Sequence, residues 1–251
     1  MPERPRSRPR LGCLLLLALL AAAAWFGWRE YQRMVRDEPE RFPWTPLSLS
    51  DPIGDFTGRK LAALGGDPRR CEALLDAFGS NDLPVPPRRP AEQACGYDRA
   101  MLLRPINGAA LRFAPQGLVT ACPVAAALAL LERDVIQPAA LRHLGERIAR
   151  VDHFGSYSCR RLYGRDEGAF SEHATANAVD IAGFRTVGGR RIRVLADWPK
   201  ANKDAAFLRE VRDGACGLFA TVLSPDYNTA HADHLHLDQA ARGATGWRGC
   251  R

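Results

Sequence analysis

From Leu11 to Trp28 the chain reads L-G-C-L-L-L-L-A-L-L-A-A-A-A-W-F-G-W, without a single charge. A helix over this stretch is just long enough to cross the hydrocarbon of a bilayer. Arg4, Arg6, Arg8 and Arg10 precede it, as the positive-inside rule requires, and Trp25 and Trp28 would lie at the far interface. Residues 1–28 are therefore read as a signal anchor. The rival is a cleaved signal peptide, with Ala21–Ala24 supplying the small residues at the cleavage site. Either reading exports the rest of the chain. The expected location is the periplasm, tethered to the inner membrane through residues 11–28, or secreted if the signal is cleaved.

The cysteines agree with export. Outside the apolar run they are Cys71, Cys95, Cys122, Cys159, Cys216 and Cys250, an even set without a C-x-x-C pair. Such spacing suits three disulfides in an oxidising compartment and disfavours a zinc–cysteine site. Their connectivity is open at this stage. The formal charge of +7 does not indicate nucleic acid. Much of the excess precedes the apolar run, and the rest is scattered among acids with no basic stripe.

Residues 29–50 are polar and proline-containing, and are read as a tether. Residues 51–121 are read as an N-terminal cap region. Helix-forming sequence at Cys71–Phe78 is followed there by the L-P-V-P-P-R-R-P loop at 83–90, whose prolines forbid a regular helix. A buried helix is expected over 123–133, with a proline in its first turn and a second helix after Pro138. Another helix is expected over 203–214. A strand leading into a turn at Gly155 is expected within 147–159, a strand pattern runs through 178–184, and 234–238 alternates with period two. This alternation puts His234, His236 and Asp238 on one face and Leu235 and Leu237 on the other. The mixture points to an α+β fold, with a small antiparallel sheet carrying the site, flanked by helices and held by disulfides.

Two segments carry the chemistry. S-E-H-A-T-A-N-A-V-D at 171–180 ends in an aspartate inside a strand of Ala, Val and Ile, which is costly to bury unless paired or metal-bound. H-A-D-H-L-H-L-D at 231–238 holds three histidines within six positions. Either alone has an ordinary structural explanation; together they form a donor set that zinc selects. Two imidazoles and one carboxylate leave a fourth position open, as catalytic zinc sites do.

The pattern S-x-H-x-x-G-x-A-x-D with a downstream H-x-H resembles the lysostaphin, D-Ala-D-Ala metallopeptidase and Hedgehog group of zinc proteins. Residues from about 120 onward resemble more closely the bacterial extensin-like C-terminal domain family. The stretches that carry this are C-P-V-A-A-A-L at 122–128, G-S-Y-S-C-R at 155–160, and the two segments above. The resemblance implies a zinc-peptidase-like domain over 122–251, with Zn²⁺ held by His173, Asp180 and His236. It implies His234 as general base or transition-state stabiliser, with Asp233 and His231 as further catalytic candidates. Arg160 and Arg161 are candidate clamps for a substrate carboxylate. The expected activity is hydrolysis of peptidoglycan stem peptides or cross-links; the alternative is a non-catalytic protein that binds zinc or cell wall. The chain departs from the pattern at Ala176, where the group has glycine, and alanine would be strained there if the position needs a positive φ. His143 and His153 fit no cluster and are expected to be structural or exposed.

Overall fold

The computed structural model describes residues 11–104, 111–243 and 247–251. Arg4, Arg6, Arg8 and Arg10 lie outside these. Helix α1 spans Leu11–Asp37, and its exposed apolar side chains fit a membrane anchor or signal sequence. The expected tether is built differently from a loose linker. Residues 29–37 continue α1 because R-E-Y-Q-R-M-V-R holds no helix breaker. Leu47 and Leu49 are then buried in the main apolar cluster. Tyr31, Phe42 and Trp44 form a chain of ring contacts, at 6.0 and 5.2 Å, between α1 and the body.

Helices α2 (Thr57–Ala63) and α3 (Pro68–Phe78) come next. Asp67 caps α3 by accepting from the Arg70 N–H, and Gly79, at φ +82°, ends it. A small antiparallel sheet joins β1 (Leu83–Val85), β2 (Ala100–Leu102) and β4 (Val119–Thr120). The large sheet takes β3 (Arg112–Ala114), β5 (Ile148–Gly155), β6 (Ala178–Thr186), β7 (Arg191–Arg193), β8 (Thr221–Leu223), β9 (Leu235–Asp238) and β10 (Gly249–Cys250). Its order is β10-β8-β9-β6-β5-β3, with β7 pairing β6 beyond the end of β9. The centre is antiparallel as expected, whereas β3 and β10 add parallel edges, so the sheet is mixed.

All ten residues of α4 (Cys122–Leu131) are buried, which explains a helix that is apolar on every side. Where a break was expected before Pro138, a π-helical turn at Glu132–Ile136 leads straight into α5 (Gln137–Leu144). A wider turn accommodates a proline that cannot donate to the preceding turn. Short α6 (Val194–Asp197) and α7 (Lys203–Cys216), capped by Asn202, complete the helices.

Val179, Ile181, Leu235 and Leu237 form the fully buried apolar face of β6 and β9. Each such side chain contributes about 1.5–3 kcal/mol, so a one-residue slip of either strand is strongly disfavoured. The same cluster includes Leu61, Leu75, Met101 and Leu118, so residues 51–121 share one core with the C-terminal region. Disulfides Cys71–Cys122 and Cys95–Cys159 tie the two regions covalently, and Cys216–Cys250 joins α7 to β10.

Candidate metal centre

The register fixed by the apolar face decides what meets on the opposite face. Asp180 on β6 lies directly across from His236 on β9, and Gly155 of β5 flanks Asp180 on the other side. His173 arrives from the 3₁₀ turn Glu172–Thr175 that precedes β6. Ser171 caps this turn by accepting from the His173 N–H.

The turn closes at Ala176, which adopts φ +56°, ψ +21°. An alanine pays a cost there that glycine would not. Its carbonyl accepts from Ala121 N–H at 2.8 Å and from Ser156 Oγ at 3.1 Å, which holds the backbone in place. The left-handed conformation expected for a glycine at this position is therefore met by alanine.

Three donor atoms converge. His173 Nε2 is 3.2 Å from Asp180 Oδ1 and 3.1 Å from His236 Nδ1, and His236 Nδ1 is 3.0 Å from Asp180 Oδ1. All three residues are buried. The outer nitrogens decide which atoms point inward bare. His173 Nδ1 donates to the carbonyl of Ser156 at 2.6 Å, an oxygen that can only accept. His236 Nε2 donates to Asp238 Oδ2 at 3.1 Å. In their neutral forms both rings then aim unprotonated nitrogens at a carboxylate oxygen, as metal-ligating histidines do. A proton can bridge one edge of this triangle; a cation at its centre satisfies all three corners. Tetrahedral zinc with ligands at ~2.0–2.1 Å needs corners ~3.3 Å apart, a few tenths beyond those observed, so the residues fit this ion.

Without an ion, the triangle holds a proton. Burial disfavours charge on His236, but hydrogen bonds and charge from Asp180 and Asp238 outweigh it and raise its pKa to about 9. Burial alone would raise the Asp180 pKa, but the two histidines hold it well below the usual carboxylate range.

His234 lies one residue before β9. Its Nδ1 is 2.7 Å from Asp233 Oδ1, and its Nε2 is 3.5 Å from Asp180 Oδ1, beside the ligand triangle. Asp233 thus orients His234 and is placed to act through it. The His231 ring is 5.2 Å from that of His234 and 6.0 Å from that of His236, with Nδ1 2.7 Å from Asn228 Oδ1. Burial, then the neighbouring histidines, lowers the His231 pKa to about 4.

His173, His231, His234 and His236 open into a cleft of about 1380 Å³. Of Arg160 and Arg161, expected as alternative clamps, Arg160 lines the cleft. Arg161 donates to the Gly168 carbonyl and stacks 4.2 Å over Phe170, within its own loop and outside the cleft lining. His143 pairs with Glu210 at 2.6 Å near the surface. His153 is buried against the Pro115 carbonyl, and burial lowers its pKa. Ser156, Asn228 and Glu172 are site residues that the spacing did not single out as such. Glu172 lines the cleft and accepts from Asn177 Nδ2 at 2.6 Å, while burial raises its pKa. Ser156 acts mainly through a backbone carbonyl, which side-chain patterns do not register.

No curated protein and no solved structure matches this chain. The family described as "Extensin-like protein C-terminus" matches residues 69–251, extending well before the resemblance read from about residue 120. This match takes in α3, both sheets and every residue of the donor triangle, and the chain belongs to the extensin-like C-terminal family.

Proposed function

We propose that the protein is a zinc-dependent hydrolase of amide bonds in peptidoglycan stem peptides or cross-links, working in the cell envelope. The observation that carries this reading is the convergence of two imidazole nitrogens and a carboxylate oxygen within 3.2 Å of one another. His173, Asp180 and His236 would hold the ion. Bound there, Zn²⁺ lowers the pKa of a water towards ~7 and polarises the scissile carbonyl.

The surrounding side chains supply the proton chemistry. Asp233 takes the Nδ1–H of His234, so His234 Nε2 is the basic nitrogen facing the centre. A proton accepted at Nε2 is stabilised by the Asp233 carboxylate and is delivered to the leaving amine as the C–N bond breaks. The products are one carboxylate and one amine. His231 stays neutral at neutral pH because its pKa is near 4. With Nδ1 turned to Asn228, it leaves an acceptor nitrogen for the water or the leaving N–H. Arg160 offers a guanidinium to a substrate carboxylate in the same cleft. The open cleft and the placement of His234 beside Asp180 favour catalysis over a role in binding zinc or cell wall alone. The apolar helix and the three disulfides support an extracytoplasmic substrate.

The test uses the full-length protein in detergent beside His236→Ala, both assayed for metal and incubated with purified peptidoglycan. The expected result is about one zinc per wild-type chain, none in the variant, and new amine ends released by wild type only. A folded wild-type protein that takes up no zinc would sink the reading. Zinc uptake without release across a broad panel of stem peptides would shift it to the binding role.

A further inference from the structure

A second cavity, of about 590 Å³, shares Ala240, Ala241, Arg242 and Trp247 with the metal cleft and opens beyond that shared wall. Its chemistry is the opposite of the cleft's. Arg59, Arg99, Arg242 and Arg248 line it, and no acid does. Arg99 is paired outside the lining with Glu72, and Arg242 bonds Thr221 and stacks on Trp247. Arg59 and Arg248 have no ion pair among the described residues. Among the described residues the half-buried Arg248 guanidinium bonds the Phe219 carbonyl alone, and it packs directly on Gly58. A cation withdrawn from water without a counter-charge is costly, and an anion brought in from outside would remove that cost.

Two further features border the same space. Ala121, Cys122 and Pro123, the start of α4, line it, and this helix has no side-chain N-cap. Gln239, 3% exposed, also lines it. Its Nε2 donates to the Leu218 carbonyl, and its buried Oε1 has no hydrogen-bond partner among the described residues.

From this cluster we propose that the groove is a subsite for the carboxylate end of a peptide, with Arg59 and Arg248 holding the carboxylate. The choice of a peptide rests on the hydrolase reading; the anion subsite itself does not need the metal. The shared wall would let one extended substrate engage both cavities, its anchored end in the groove and its reacting bond in the cleft.

The test is a ligand-observed NMR titration of the full-length protein in detergent, after treatment with a chelator. N-acetylalanylalanine is compared with its C-terminal amide. The free acid should bind about tenfold or more tightly than the amide, as a charge-assisted pair implies. This preference should vanish in Arg59→Gln and in Gly58→Ala, which displaces the Arg248 guanidinium without removing any buried group. Inorganic phosphate should compete poorly. No preference in wild type, or a preference unchanged in both variants, would overturn the proposal. Equal competition by phosphate would reassign the groove to generic anions and overturn the peptide assignment. A preference that appears only when zinc is restored would place the carboxylate in the metal cleft and likewise overturn it. If the hydrolase reading fails because no zinc binds, the acid-versus-amide comparison in the groove is unaffected, so the two failures are distinguishable.

Discussion

The cleft and the groove lie on either side of the segment 240–242 and solve opposite electrostatic problems. In the cleft, buried acceptors face one another and each outer ring nitrogen is tied to an oxygen: Ser156, Asp238, Asp233 and Asn228. The groove is lined by four arginines and by no acid. Each arrangement is costly alone, the first without a cation and the second without an anion. The contrast teaches that the cleft is organised by hydrogen bonds that fix ring tautomers, while the groove is organised by position and charge alone. Changes in the cleft should therefore be severe and specific, and those in the groove mild.

The largest effect should come from Asp180→Asn, which keeps the shape but removes the charge at the centre. Zinc affinity should fall by more than the about 100-fold typical of losing an outer hydrogen-bond partner, and peptidoglycan cleavage should vanish. Arg59→Gln should leave zinc content unchanged. Equal zinc in Asp180→Asn and wild type, read by metal analysis after dialysis, would erase the distinction between the two cavities.

Next, His234→Ala should retain zinc yet lose about 10²–10⁴ in kcat, with Asp233→Asn losing less. A loss confined to KM would recast His234 as a binding residue.

The pH dependence sharpens the comparison further. In the chelated protein the folded pKa of His236 is raised to about 9, so its stabilisation is complete below about pH 6.5 and is lost as pH rises through 9. The effect is on the order of 3 kcal/mol. The thermal midpoint of chelated protein should thus decline between pH 6.5 and 9, while that of zinc-loaded protein should not. Parallel profiles for the two would mean that the proton and the metal do not compete for His236.

The smallest effect should be that of Ala176→Gly. Relief of the left-handed alanine is partly cancelled by the added freedom of the unfolded chain, leaving a gain of at most ~1 kcal/mol by chemical denaturation. Zinc content should not change.

Much of the cleft was legible in the sequence because its clues are local. An aspartate within A-V-D-I-A and a period-two H-L-H-L-D announce polar groups on otherwise apolar strands, and both strands formed there. The resemblance supplied the role of His173, and the family match extends over the whole site. The Ser156 carbonyl, by contrast, leaves no mark in a side-chain pattern. Arg160 and Arg161 are neighbours in sequence, and only the loop's return to Phe170 separates their roles. The continuation of α1 past Trp28 and the burial of Leu47 and Leu49 were hidden by a polar, proline-containing composition that reads as linker.

The apolar helix, the even set of cysteines, the α+β class and the candidate donors could be read directly from the residues, because composition, periodicity and short spacing act within a few residues of chain. Which cysteines pair, the core shared by residues 51–121, which imidazole nitrogens point inward, and the lining of one groove by Arg59, Arg248 and the start of α4 were settled by tertiary structure. Those outcomes depend on strand register and on contacts between residues far apart in the chain. Burial of the apolar face of β6 and β9 fixes that register, and the polar face follows from it.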